Sequence, residues 1–336
     1  MKNIGYLILA LALLLSQNAC KDEFQLNAPW KDIPVVYGMI NRTDTAYYIR
    51  VEKVFINPEG DINEIAQNPD SIYYPEDAIT VFLIDLESGT KKQLQRVDGN
   101  LEGYPRESGP FADQPNYLYK LKASLLPLDE NAPLGLSIER QGNLDDVTAE
   151  ATVLGEISPS GLIDGSQVTF KYDQQNSFRW TSGTEARIFD VEMHIHYDEW
   201  EAGHSQDAVS KTLVWTMARG VAHSGSSSTT VIKVDGIDFY TTLASSLEAK
   251  PTTLRQFTGM DLIVIGAGQA IEEYINITQA NTGITASQDI PTYTNIEGGL
   301  GLFSSISKGG VFGLQLSSTS LDLLKNGEYT ADLNFQ

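Results

Sequence analysis

The sequence predicts a mainly β protein made of two β-sandwich domains, the first immunoglobulin-like and the second β-rich with one or two short helices. Three observations predict it. Short apolar runs with a period of two recur along the chain, clusters of Gly, Pro and Asp separate them, and helical spacing is confined to brief stretches. With 41% apolar and 20% charged residues, the 336-residue chain can bury a sizeable core. Its length suggests about two domains.

Residues 1–19 read as a signal peptide. Lys2 supplies a positive start, Ile4 to Leu15 is an almost unbroken apolar run, and small Ala19 precedes Cys20. That run is too short to span a bilayer, which takes about 20 residues. Gln17-Asn18-Ala19-Cys20 resembles a bacterial lipobox, with Gln17 where leucine is usual. The resemblance implies that Cys20 carries lipid and becomes the new N-terminus. Cys20 is also the only cysteine, which excludes a disulfide scaffold and a thiolate metal centre. Lys21-Asp22-Glu23 resembles the export signal of Bacteroidota surface lipoproteins. The expectation is a mature chain anchored by lipid in the outer membrane and facing the exterior, with residues 20–32 as its tether. The chain holds 44 acids against 23 bases, a net charge of −21. Nucleic acid is excluded as a partner, because phosphate binding needs clustered cations. The same acidity suits a body that hangs from an anionic membrane without lying on it.

The first domain is expected over residues 33–155. Ile33–Ile40 reads as a buried strand, Ala46–Phe55 as the next, and Ile79–Leu86 as a central one. Glu87-Ser88-Gly89-Thr90 supplies turn residues, so Lys91–Val97 should return as the second arm of a hairpin. Asn116–Ala123, Leu134–Arg140 and Val147–Val153 complete about seven strands. Gly155–Gly165 is the best break.

The second domain is expected over 156–336. Phe189, Val191, Met193, Ile195 and Tyr197 alternate with polar residues, which gives one buried face and one wet face. Leu213, Trp215 and Met217 repeat that alternation on a partner strand. Val231–Val234, Asp235-Gly236 and Ile237–Tyr240 read as a tight hairpin. Ile271, Tyr274, Ile275 and Thr278 share a helical face. Leu321–Asn326 should be a short helix capped by a left-handed Gly327.

Val36-Tyr37-Gly38, Tyr48-Ile49-Arg50, Tyr73-Tyr74 and above all Asn295-Ile-Glu-Gly-Gly-Leu-Gly-Leu-Phe303 resemble a Bacteroidota family of outer-membrane lipoproteins, known only as a domain of unknown function. Its signature is Asn-x-x-Gly-Gly-Leu-Gly-x-Phe, and here Ser304 and Ser305 follow where the family has glycine. The resemblance implies an N-terminal immunoglobulin-like region, a second β-rich region and association with TonB-dependent transporters. It implies no catalytic residues.

Several constellations carry chemistry on paper. Asp261–Gly266-Ala-Gly268–Ile271 has the strand, Gly-x-Gly and helix of a dinucleotide fold. It lacks the third glycine and the repeated βαβ units, so a strand–turn–helix packing element is the better reading. His194 and His196 share one strand face about 6.6 Å apart, and His204 could fold back beyond Gly203 as a third metal ligand. The alternative is a solvated polar face. Ser224–Ser228 after His223 is a flexible loop without a nucleophile elbow. The adjacent acid pairs Asp145-Asp146 and Glu272-Glu273 diverge rather than flank a bond. Trp200, between acids at a strand end, is either a rim cap or an anchor for a partner. Gly298, Gly299 and Gly301 permit a tight turn or close backbone approach, and otherwise a docking surface. No enzyme activity and no cofactor beyond the lipid on Cys20 is expected. The expected role is that of an accessory subunit to an outer-membrane β-barrel complex. Capture of glycans or other ligands, or binding of metal, are the competing readings.

Overall fold

The sequence's period-two alternation becomes an alternation of burial wherever one face of a strand meets a core. On Ile188–Glu201 the residues Phe189, Val191, Met193, Ile195 and Tyr197 are all buried, while those between them reach solvent. A computed structural model describes residues 32–54, 62–142, 144–183, 185–223, 228–280 and 293–336. The signal peptide, Cys20 and Lys21-Asp22-Glu23 lie outside the described residues.

The first half holds β1 (Pro34–Ile40), β2 (Ala46–Lys53), the short helices α1 (Ile62–Ala66) and α2 (Pro69–Ile72), and β3 (Ile79–Asp85). It continues with β4 (Thr90–Gln93), β5 (Gln95–Asp98), β6 (Tyr117–Lys122), β7 (Pro133–Arg140) and β8 (Val147–Thr152). The second half holds β9 (Ser158–Ser160), β10 (Gln167–Val168), β11 (Gln175–Thr181), β12 (Ile188–Glu201), β13 (Val209–Ala222) and β14 (Thr229–Asp235). After them come α3 (Gly236–Ser246), β15 (Thr253–Ala267), α4 (Gln269–Ala280), β16 (Leu300–Leu316) and α5 (Ser318–Asn326). The protein is mainly β.

Among the described residues the strands form three sheets. The largest runs β13-β12-β15-β16-β1-β2-β6-β5, with β10 beside β16; the others run β4-β3-β7-β8 and β14-β11-β9. Two apolar cores lie between them. The first joins β1, β2 and β6 to β3, β7 and β8 through Val36, Ile49, Tyr119, Val81, Leu136 and Val147, which makes a β-sandwich. The second packs β12, β13, β15 and the end of β16 against β11, β14 and α3, with Trp180, Phe170 and Phe239 at its centre. Along the chain the buried residues pass from the first core to the second between Val153 and Leu154, and Ile296 and Phe303 return to the first.

β16 is the reason. Its first residues pair parallel to β1, Val35 with Leu300 through Ile40 with Ser305. Its later residues pair antiparallel to β15, Ala267 with Ile306 through Met260 with Leu314. One strand therefore stitches both cores into a continuous sheet. At the crossover, buried Ser305 donates to the Ile40 carbonyl and accepts from the Leu154 amide.

Three local expectations are corrected. Residues 231–240 are not a hairpin: β14 ends at Asp235 and α3 begins at Gly236. Gly236, Phe239, Tyr240 and Leu243 are buried at helical spacing, and a Cβ on Gly236 would sit 2.2 Å from the Lys171 carbonyl. The glycine serves close approach, not a turn. The arm expected over Lys91–Val97 is split, since β4 pairs with β3 whereas β5 pairs with β6. Leu94, buried between them, marks where the chain changes sheets. Gly327 ends α5 with φ of −75°, not left-handed, and a Cβ there would meet the Tyr172 hydroxyl at 2.2 Å.

The α3–α5 corner is closed by hydrogen bonds. The Tyr240 hydroxyl donates to the Phe170 carbonyl at 3.0 Å and reaches the Ser320 carbonyl at 3.2 Å. Burial pushes this phenol up to about 12 from its ordinary 10.0. Tyr240→Phe should cost about 1 kcal/mol near pH 8, because the phenol's bonds to both carbonyls are lost although the Ser320 hydroxyl still donates to the Phe170 carbonyl at 3.1 Å. The native state favours the protonated phenol, so parental stability declines as pH rises from about 10 through about 12. The gap between parent and variant should narrow over that window in urea titrations.

Candidate functional site

His194, His196, Trp200 and His204, singled out in the sequence, fall on the β12–β13 hairpin beside β15. β12 pairs along its length with both strands, so a row of side chains crosses the wet face: Val214 lies opposite His194, which lies opposite Asp261. His194 Nε2 is 2.9 Å from Glu192 Oε2. His196 is engaged at both nitrogens, Nδ1 with the Thr212 hydroxyl and Nε2 with Asp261 Oδ2, each at 2.9 Å. His204 lies beyond the strand end, 3.6 Å from Asp207. The hairpin thus keeps His194 and His196 on one face, as the spacing requires, but does not bring His204 to them. Among the described residues no group of three His, Cys, Asp or Glu side chains is arranged to hold a metal ion.

Thr212, His196 and Asp261 form a hydroxyl–imidazole–carboxylate row that sequence reading missed, since Asp261 is 65 residues away. The chemistry of this row is limited by its setting. Thr212 is β-branched within a strand on an open sheet face, not raised on a strand-to-helix turn with oxyanion donors beside it. It is a cross-strand clamp. Burial alone would raise the Asp261 carboxyl, but the Gly313 amide and His196 outweigh it and hold the group below its ordinary value. A carboxylate lowered in the folded state stabilises above its unfolded pKa, and that contribution is lost as pH falls through the folded value. Asp261→Asn should therefore be less stable than the parent at neutral pH, and thermal melts of the two should converge in acid.

Trp200 is half-buried at the hairpin tip, where it lines a cavity of about 450 Å³ with Glu201, His204, Asp207, Val209 and Thr253. Behind the tip, Arg255 is 3% exposed and donates to Glu199 at 2.9 Å, to the Leu333 carbonyl at 2.8 Å and to the Glu248 carbonyl at 3.0 Å. Burial would raise Glu199, but Lys211 and Arg255 hold it below its ordinary range.

The glycine signature lies elsewhere, at the β1–β16 join. Gly298 has φ of +78° and Gly301 of +116°, conformations that favour glycine. A Cβ on Gly301 would fall 1.9 Å from the Val36 carbonyl, and one on Gly299 2.8 Å from the Pro34 carbonyl. Asn295 closes the motif, accepting from the Phe303 amide at 3.0 Å and donating to its carbonyl at 2.7 Å. These residues hold backbone against backbone.

The Gly266-Ala-Gly268 segment is the expected strand–turn–helix, and β15 is antiparallel to both neighbours, so no βαβ unit surrounds it. Ser224–Ser227 lie outside the described residues.

No family model and no curated protein matches the chain. Among solved structures, the chain is similar to a crystal structure of DIP-gamma IG1+IG2, with 9% identity, 84% of this chain and 97% of that chain covered, and a TM-score of 0.18. A likeness that loose carries no argument about this chain.

Proposed function

We propose that this chain is a lipid-anchored, surface-exposed subunit of an outer-membrane β-barrel complex, a transporter or an assembly machine, and does no chemistry of its own. The observation that carries the reading is the placement of the only cysteine. Cys20 closes a secretory pattern and is followed at once by Lys21-Asp22-Glu23. Anchoring confines the body to the membrane plane and raises its effective concentration beside a barrel, so modest contacts suffice. The test is purification of the mature protein from native membranes in gentle detergent, with intact-mass analysis. Lipid mass on Cys20 and recovery of a stoichiometric barrel protein are expected. An unmodified thiol, or repeated recovery of the chain alone, would overturn the reading.

A second reading, capture of glycans or similar ligands, is favoured by one feature. Tyr37 and Met39 on β1, Tyr104 beside Tyr48, and Tyr274 on α4 are exposed. Aromatic faces bind sugar C–H surfaces as they bind other apolar rings. Glycan-array binding that disappears in Tyr37→Ala would support it.

A further inference from the structure

β13 is the edge of the largest sheet, and among the described residues it pairs with β12 alone. Such an edge presents unpaired backbone N–H and C=O groups, and natural proteins blunt it with charge, proline, shortening or cover. Here Thr212-Leu-Val-Trp-Thr-Met-Ala218 is seven residues without a charge, a proline or a glycine. It is rich in β-branched and aromatic residues and runs for about 23 Å. Lys211 stands before it, and Arg219 with left-handed Gly220 after it, so the unprotected window is bounded at both ends.

The core also stops unfinished at this edge. Trp215 is buried against Phe170 and Phe239, while Leu213 and Met217 on either side pack on the same core but stay only partly covered. On the opposite face Val214 is 51% exposed. A strand laid beside β13 would satisfy the open backbone groups, and its inward residues would cover the flanks of Leu213 and Met217. The only charges on β13 are basic, exposed Arg219 and Lys211, the latter shared with Glu199, which suits carboxylates at the ends of an incoming segment. A second copy of this chain fits poorly, because each copy carries a net charge of −21.

We infer that residues 212–218 accept an extended segment of a partner protein as an added strand, with apolar residues alternating with hydroxyl residues and acids at its ends. This rests on the subunit reading above, for which it supplies the contact surface.

The probe is a fluorescent nine-residue peptide alternating leucine and threonine, with glutamate at each end, and a control with proline at its centre. Both are titrated onto the full mature protein in detergent by anisotropy, with amide hydrogen exchange read along the chain. The expected result is at least tenfold tighter binding of the alternating peptide, with new protection confined to residues 212–218. Val214→Lys and, independently, Met217→Lys should each weaken binding at least tenfold while their melting curves keep a single cooperative transition. Equal binding of both peptides, protection elsewhere, indifference to both variants, or peptide-independent pairing of two copies through β13 would each overturn the inference. The native-membrane preparation separates the two readings. A barrel lost from Val214→Lys but kept by the parent supports both. A barrel kept by Val214→Lys overturns the edge inference alone, and no barrel with the parent overturns the subunit reading, whatever the peptide does.

Discussion

Gly301→Ala is expected to destabilise the protein by about 3 kcal/mol or more, a fall of roughly 6–12 °C in Tm for a body of this size. Two costs act together. The residue sits at φ of +116°, which a side chain rarely adopts, and the added methyl would lie 1.9 Å from the Val36 carbonyl. Nothing flexible can yield there, since the clash is with backbone. Relief requires β1 and β16 to part, which opens the parallel ladder from Val35–Leu300 to Ile40–Ser305. Gly313→Ala is the control. It also has positive φ, at +65°, but open space around it. It should cost only about 1 kcal/mol. Urea unfolding of the two variants, read by tryptophan fluorescence, distinguishes clash from torsional strain. Equal midpoints would mean that the close approach is not rigid.

Arg255→Met should cost about 3 kcal/mol, because it removes the buried cation beside partly covered Glu199 and takes its donor from the buried Leu333 carbonyl and the part-buried Glu248 carbonyl. The loss has a direction along the chain. Arg255 also bonds the last residues through its backbone, accepting from the Gln336 amide at 2.8 Å and donating to the Asn334 carbonyl at 3.0 Å. Limited proteolysis of the variant should therefore clip residues 331–336 first. Lys211→Ala, which removes the exposed partner of the same Glu199, should cost under about 1 kcal/mol. A similar loss in both would show that Arg255 acts only as a charge.

How much of this was legible depends on the range over which each cause acts. The alternation from Phe189 to Tyr197 could be read because one face of β12 meets a core and the other meets water, and neighbouring residues record that difference. The split at Leu94 left a weaker trace: a single inward leucine interrupts a polar arm where the chain changes sheets. At Asp235-Gly236 the local chemistry has two meanings, since an acid before glycine suits both a tight turn and a helix start. The spacing of Phe239, Tyr240 and Leu243 decides between them. The candidate site was half visible. The spacing of His194 and His196 placed them on one face, but Asp261 reaches His196 only through the pairing of β12 with β15. The glycine run announced close approach without naming the backbone it approaches.

The two-way pairing of β16 sets an order of events during synthesis. Ile40 and Ser305 are bonded across 265 residues. At ribosomal speeds of roughly 5–20 residues per second, β1 is made about 15–50 s before the strand it lies beside. Until then one edge of the first sandwich lacks its partner. Any factor that binds the newborn polypeptide must shield that edge until residues 300–305 arrive, and a chain cut short before them would leave both halves unfinished.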